Sequence, residues 1–332
     1  MPARLTVHLP SRPALVFLLP EGRRTVVGRD PECEVALDDD RVSRRHARFD
    51  PSSSGWSITD LGSKNGLLVD GMPQATATLS ERSWISLGGL IARFEVVSGS
   101  LEEALEEPRR RWATSLAVRR RLTPSAGLGE LLPRVVASML ELTHAERGFL
   151  LLADAGGELQ VAARSGLSWD EIRGEAFAGS RGAVRTALAT GASVVRSDVR
   201  TDSELGERPS IVDAGIRALC CVPVHALDRL IGVMYADSRE PGTAFTVLDL
   251  EILEALSSQA GLAIAVARLG GELAGLAERI AEITGGDPAL LDRISGELSG
   301  AVERSLQPAQ ATAYRPERWT QSAGVAANGS ER

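Results

Sequence analysis

Between residues 5 and 97 the apolar positions arrive in short bursts, LVFLL, RTVVGR, EVALD, ARFD, GWSITDL, GLLVDG, ISLGG and IARFEVV, separated by turn residues. Trp56 and Ile58 alternate with polar neighbours, the period of two expected of a strand with one buried face. No stretch here carries a helical period, so the first third of the chain reads as an all-β sandwich. Val69-Asp70-Gly71 reads as a hairpin turn, because Asp-Gly supplies the positive φ angles that tight hairpins need.

The pattern then changes. LEEALEEPRRRWATSLAVRRRLTPSAGL is charged and carries Pro108, which suits a linker entering a helix at about Trp112. From Leu131 a helical period (LLPRVVASMLELT) leads into the strand RGFLLLAD and, after a Gly-Gly turn, the strand ELQVAARSG. The helix RGAVRTALAT and the strand ASVVRSD follow, then an apolar strand pair, IRALCCVPVHA and RLIGVMYADS. A long helix from about Phe245 to Ile283 closes the unit. Helices mixed with hairpin-connected strands indicate an α+β domain with an antiparallel sheet.

The closing helix ends on Leu269, Leu273, Leu276, Ile280 and Ile283, spaced 4, 3, 4, 3. That spacing serves either core packing on the same domain or a two-heptad seam for a second helix. Gly285, Gly286, Asp287 and Pro288 stop the helix, and an amphipathic segment through Leu291, Ile294, Leu298 and Val302 follows. From Gln307 the Ala, Gln, Ser and Gly composition reads as a disordered tail. The loop DVRTDSELGERPSIVD (198–213) is either a solvated connection or a cover for a pocket mouth.

Composition narrows the class. With 332 residues, 43% hydrophobic and 24% charged, the chain is globular and long enough for two domains. The longest uncharged apolar runs, Leu15 to Leu19 and Leu262 to Ala267, fall far short of a membrane span, and the N-terminus lacks a signal-peptide core. Both point to the cytoplasm and away from membranes. Cys33, Cys220 and Cys221 form neither metal spacing nor a disulfide framework. Net charge is −7, yet residues 1–97 hold twelve basic and twelve acidic residues, so the acidic excess lies downstream. A neutral domain with a local Arg cluster suits one discrete anion rather than nucleic acid.

Three stretches carry that chemistry: Gly28-Arg29, Ser43-Arg44-Arg45-His46, and Asp60-Leu61-Gly62-Ser63-Lys64-Asn65-Gly66. All fall at strand ends or turns, so they can meet at one end of a sandwich. A phosphate there needs charge-assisted donors, which Arg29, Ser43 and Arg44 supply. Asn65 offers both a donor and an acceptor to the backbone of an extended peptide.

In this order and spacing the stretches resemble the forkhead-associated (FHA) domain, over about residues 5 to 97. The resemblance implies a β-sandwich that binds phosphothreonine peptides of a partner protein in a serine/threonine-kinase pathway. Arg29 and Ser43 would hold the phosphate, assisted by Arg44, Ser63 and Lys64, and Asn65 would grip the peptide backbone. Gly28, His46 and Gly66 would support the loops. Glu81-Arg82-Ser83 departs from the Gly-Asp the family often has, which bears on a local turn only.

From about Ala126 to Leu269 the chain resembles a GAF domain, on Val222-Pro223-Val224, Leu230 to Asp237 and FTVLDLEILEALSSQAGLAI. That implies a small-molecule pocket or a dimerisation unit. No cyclic-nucleotide or bilin signature is present, so no cofactor is assigned and any ligand stays unidentified. Cys220 and Cys221 are either small core residues or, with His225 nearby, a pocket or thiol site; His144 joins only if the fold brings it close. The resulting layout is an FHA domain (1–98), a linker or signalling helix (99–125), a GAF domain (126–269), a helical extension (270–306) and a tail (307–332). The expected function is a non-enzymatic signalling adaptor or sensor, with a homodimer through the GAF-flanking helices and no direct nucleic-acid binding. An input subunit related to FHA–GAF transcription activators, with its output on another chain, is the alternative. A GAF-based thiol reductase is the remote one. No catalytic loop or metal-spaced cluster anchors other enzymatic chemistry, since the four His (8, 46, 144, 225) are dispersed.

Overall fold

The computed structural model describes residues 1–122, 127–154, 159–173, 178–197, 215–227, 229–240, 242–284 and Gly296. The 307–332 tail, the segment from Leu291 to Val302 apart from Gly296, the Gly285–Pro288 stop and the 198–213 loop lie outside the described residues.

The first unit is a sandwich of two sheets. One has the order β2-β1-β11-β10-β7-β8, from β1 (Ala3–Val7), β2 (Leu15–Leu19), β7 (Leu67–Val69), β8 (Met72–Pro73), β10 (Arg82–Leu87) and β11 (Leu90–Val96). The other has the order β4-β3-β5-β6-β9, from β3 (Thr25–Gly28), β4 (Val35–Ala36), β5 (Ala47–Ser52), β6 (Gly55–Asp60) and β9 (Thr76–Leu79). All pairs are antiparallel except β3 with β4. The alternation read from the sequence is the burial pattern observed: Leu5, Val27, Phe49, Ile58, Ile85 and Phe94 all face the shared core. Phe94 on the first sheet stacks on Phe49 of the second at 6.0 Å and meets Trp56 edge-on at 5.9 Å, tying the layers together. The β7–β8 hairpin turns through Asp70 (φ 50°) and Gly71 (φ 82°), as its Asp-Gly pair implies. The unusual Glu81-Arg82-Ser83 turn is built by serines: the Ser83 hydroxyl accepts the Ser80 N–H at 3.1 Å.

Helix α1 spans Leu101–Arg120, eleven residues earlier than Pro108 suggests. A capping box sets its start: Glu103 N–H donates to the Ser100 hydroxyl at 3.1 Å and Ser100 N–H to the Glu103 carboxylate at 2.8 Å. With its N-terminus satisfied, the helix continues through Pro108, which removes a single N–H. Helix α2 (Gly127–Thr143) likewise starts before Leu131 and carries Pro133 inside.

The second unit has an antiparallel sheet of order β13-β12-β16-β15-β14, from β12 (Arg147–Ala153), β13 (Leu159–Ser165), β14 (Val194–Ser197), β15 (Ala218–Ala226) and β16 (Arg229–Ser238). Helices α3 (Trp169–Arg173), which the pattern does not reveal, and α4 (Ala178–Thr190) complete it with α5 (Val247–Thr284). At 38 residues α5 is about 57 Å long. It is long and apolar enough to cross a membrane by composition, but Ile252, Leu253, Leu256, Ala260, Ala263 and Ile264 are spent on the core beneath the sheet. Further along, Leu269 and Leu276 are 47% and 45% exposed, so these two members of the 4, 3 spacing do not pack on their own domain. The side chains of Ile280 and Ile283 lie outside the described residues.

The units are joined by more than α1. Ala14 N–H donates to the Phe245 carbonyl at 2.9 Å, in a short parallel bridge beside Thr246, and Arg93 donates to the Gly242 carbonyl at 3.2 Å. Arg4 pairs with Glu107 of α1. Arg111 of α1 reaches both the Leu142 carbonyl at the end of α2, at 3.0 Å, and Asp249 in the first turn of α5.

Candidate functional site

At one end of the sandwich, loops between strands enclose an open cleft of about 680 Å³ lined by Arg29, Asp30, Asp40, Arg41, Val42, Ser43, Arg44, Arg45, Gly62, Lys64 and Asn65. Five of these side chains are cationic and two anionic, an excess of three positive charges. In a concave setting that charge attracts an anion.

Main-chain contacts hold the floor. Arg29 N–H donates to the Ser43 carbonyl at 2.9 Å and Asp30 N–H to the Arg44 carbonyl at 3.0 Å. The approach is so close that a Cβ on Gly28 would stand 2.1 Å from the Arg44 carbonyl oxygen. Gly28 is thus needed for close approach of the two backbones. Gly88 repeats the device at the other side: its φ is 62° and a Cβ there would meet the Arg41 carbonyl oxygen at 2.2 Å. Cys33 donates its thiol to the Arg44 carbonyl at 3.3 Å, and burial pushes that thiol's pKa up.

His46 is fully buried beneath the loops. Its Nδ1 accepts the Ser43 N–H at 3.1 Å, so Nε2 carries the proton and donates to the Gly66 carbonyl at 3.0 Å. One imidazole thereby clamps the Ser43 loop to the Asn65-Gly66 loop. Gly66, at φ 78°, turns that loop in the left-handed region.

Among the expected binding residues, Arg29, Ser43, Arg44, Lys64 and Asn65 line the cleft. The Ser43 hydroxyl accepts the Lys64 N–H at 2.9 Å, which leaves its own proton to give to a ligand. Asn65 donates one amide N–H to the Arg41 carbonyl at 2.9 Å, keeping the other N–H and the amide oxygen. Ser63 does not line the cleft. Its hydroxyl donates to Asp60 at 2.9 Å and accepts the Gly66 N–H at 3.0 Å, so it builds the turn. Arg41, Arg45, Asp30, Asp40 and Gly88 were not singled out by sequence. The acidic run before Arg41 and the Gly88-Gly89 pair were the available signals. Asp39 holds Arg41 through two side-chain hydrogen bonds, at 2.9 and 2.8 Å, which lower the Asp39 pKa and raise that of Arg41. Arg29 donates to Asp40 at 2.5 Å.

Residues 25–88, which carry this cleft's loops, match the family model of the FHA domain, and residues 127–264 that of the GAF domain. The chain is an FHA–GAF protein. Over 86 residues it is 37% identical to an oxoglutarate dehydrogenase inhibitor of Corynebacterium jeikeium, covering 26% of this chain and 58% of that protein. Over 64 residues it is 38% identical to the glycogen accumulation regulator GarA of Mycobacterium tuberculosis, covering 19% of this chain and 40% of that protein. The chain therefore spans only about half the length of these curated relatives. Among solved structures, the FHA domain of the CT664 protein from Chlamydia trachomatis is similar at 30% identity and TM-score 0.28, over 30% of this chain and 100% of that one.

In the GAF domain, Cys220 and Cys221 point to opposite faces of β15. Cys220 packs with Leu150, Val222 and Ile252, whereas Cys221 packs with Phe149, Val233 and Tyr235. Both are buried, and burial raises both thiol pKa values, so neither offers a ready thiolate. His225 lies at the end of β15 past a register shift after Val224. His144 sits beyond α2 at φ 55°. The resemblance implies a pocket between the sheet and its covering helices; in the layer between the sheet and α4, the described residues Phe149, Leu219, Cys221, Val233 and Tyr235 pack together with Ala183 and Ala187. Phe149 stacks on Tyr235 at 4.7 Å. Beside them a buried ion pair bridges β12 and β16: Arg147 Nε donates to Asp237 at 2.7 Å, with Asp237 fully buried. Burial pushes the Asp237 carboxyl up, and Arg147 pulls it back down.

Proposed function

We propose that the protein is a non-enzymatic cytoplasmic regulator in a serine/threonine-kinase pathway, whose FHA cleft holds a phosphothreonine segment of a partner protein. The observation that carries this reading is the cleft's composition: an excess of three positive charges arranged around Arg29 and the Ser43 hydroxyl. A phosphate brings about two negative charges and three acceptor oxygens, a match for two or three charge-assisted donors. Asn65, with donor and acceptor to spare, then takes the extended backbone beside the phosphothreonine, and Arg44 and Lys64 add charge. The relatives' names, an inhibitor and a regulator, accord with binding rather than turnover.

The test is titration of the full chain with phosphothreonine, phosphoserine and unphosphorylated peptides from an oriented library. Arg29→Ala is expected to weaken phosphothreonine binding about ten- to a hundredfold, the size of a lost charge-assisted bond, and Ser43→Ala somewhat less. Binding by folded protein that ignores the phosphate, or that survives both substitutions, overturns the reading.

The GAF domain serves sensing, dimerisation or both in this proposal. Exposed Leu269 and Leu276 on the far part of α5 favour pairing with a second copy. Sedimentation equilibrium is expected to give twice the chain mass, and Leu269→Glu with Leu276→Glu to give the single mass. A wild-type monomer at tens of micromolar would remove this half of the reading.

A further inference from the structure

Three aspartates precede Arg41, and two of them are used differently. Asp39, with its side chain 18% exposed, accepts three hydrogen bonds from Arg41, including the backbone N–H at 3.0 Å, and is a fixed part of the loop. Asp40 is 95% exposed, and its side chain reaches into the cleft to pair with Arg29 at 2.5 Å. The residue best placed to take a phosphate is therefore already holding a carboxylate of its own chain.

We propose that Asp40 is a displaceable stand-in for the ligand phosphate, and that once displaced it reads a basic residue beside the phosphothreonine. This deepens the phosphopeptide reading and rests on it. A tethered carboxylate competes at an effective concentration on the order of millimolar, so a ligand must outbid it for Arg29. A phosphate does so with a second charge and a third oxygen. Arg29 then changes partner, and Asp40 is left as an exposed, unneutralised anion at the rim. A ligand that places a lysine or arginine there restores the pair, so the one Arg29–Asp40 ion pair becomes two ion pairs across the interface. A neutral neighbour leaves Asp40 opposed only by solvent and by the remaining cleft cations. Arg41 is not available to it, being held by Asp39. The preferred ligand is a phosphothreonine segment with one basic flanking residue rather than a uniformly acidic one.

The experiment compares one phosphothreonine peptide with lysine, alanine or glutamate placed in turn at each flanking position, against wild type, Asp40→Asn and Arg29→Ala, with inorganic phosphate as a peptide-free probe. In the wild type one flanking position is expected to favour lysine over alanine by about two- to fivefold, the size of an exposed ion pair. Asp40→Asn should erase that preference while tightening inorganic phosphate and the alanine peptide by about the same factor. In the Arg29→Ala background the gain from Asp40→Asn should vanish. Weaker phosphate binding in Asp40→Asn would overturn the proposal, because Asp40 would then position Arg29 rather than compete for it. A lysine preference that persists in Asp40→Asn, or no lysine preference at any position, would overturn it too. Either result leaves phosphate-dependent binding intact, whereas loss of phosphate dependence in the wild type removes the underlying reading itself.

Discussion

Replacing Arg147 by methionine is expected to destabilise the GAF domain by about 3–5 kcal/mol near neutral pH, because it strands a buried charge. Asp237 is fully buried, and Arg147, itself almost fully buried, is its counter-charge across β12 and β16. The cost of the variant is the buried carboxylate left without its counter-charge, with the Tyr235 hydroxyl as a remaining hydrogen-bond partner, a cost well beyond the worth of the pair itself. Its pH dependence follows from direction. Burial already holds the Asp237 carboxyl above the ordinary value, opposed chiefly by Arg147 and also by the Tyr235 hydroxyl and Arg239. Without Arg147 it rises further, so the folded state binds a proton that the unfolded state releases. Stability of the variant then falls as pH rises from the ordinary carboxylate range, about 4, through the raised folded-state value, and recovers on acidification. Urea midpoints at pH 7 and pH 5 should show the gap to wild type narrowing at the lower pH. Adding Asp237→Leu should restore most of the loss, since an apolar pair of similar volume replaces an ionic one at little cost. A constant gap, or no rescue, would mean that the packing of the Arg147 stem matters more than its charge.

His46→Ala is the second large effect, expected at about 2–4 kcal/mol with a loss of phosphopeptide binding of tenfold or more. The half-buried Ser43 N–H loses its partner outright, at about 1–3 kcal/mol, the Gly66 carbonyl is left with the Gly88 N–H alone at 3.1 Å, and the fully buried ring leaves a cavity. The imidazole also fixes the spacing between the loops that carry Ser43 and Asn65. Their side chains can meet one ligand only while that spacing holds. Denaturation should show the stability loss, and titration at a temperature where the variant remains folded should show the binding loss. Binding unchanged in folded His46→Ala would mean that the remaining ties, Lys64 to Ser43 and Asn65 to the Arg41 carbonyl, suffice to hold the cleft.

Where one physical signal dominated, the sequence was readable. Period-two burial located the sandwich strands, and the Asp-Gly turn formed as its residues require. The motif residues Arg29, Ser43 and Asn65 meet because all three sit on loops at one end of the same sheets. Local signals misled where they competed. Pro108 reads as a boundary, yet the Ser100–Glu103 capping box starts α1 well before it. Ser63 reads as a phosphate donor by its place in the chain, but Asp60 three residues earlier has first claim on it. Asp40 was invisible as a site residue because an aspartate in an acidic run carries no sign of which arginine it faces. That pairing is set by the fold of two separate loops.

Because Gly28 and Gly88 let carbonyls of the Arg44 and Arg41 loops come so near, the cleft's shape is written in main chain, while its charge is written in side chains that reach solvent. The two can vary independently. Substitutions at Asp40, Arg45 or Lys64 alter what the site prefers while leaving the hydrogen bonds that build it in place, so ligand preference can drift between related chains faster than the scaffold does. For the same reason these positions are where a redesigned recognition preference would best be introduced, with the two glycines and His46 kept unchanged.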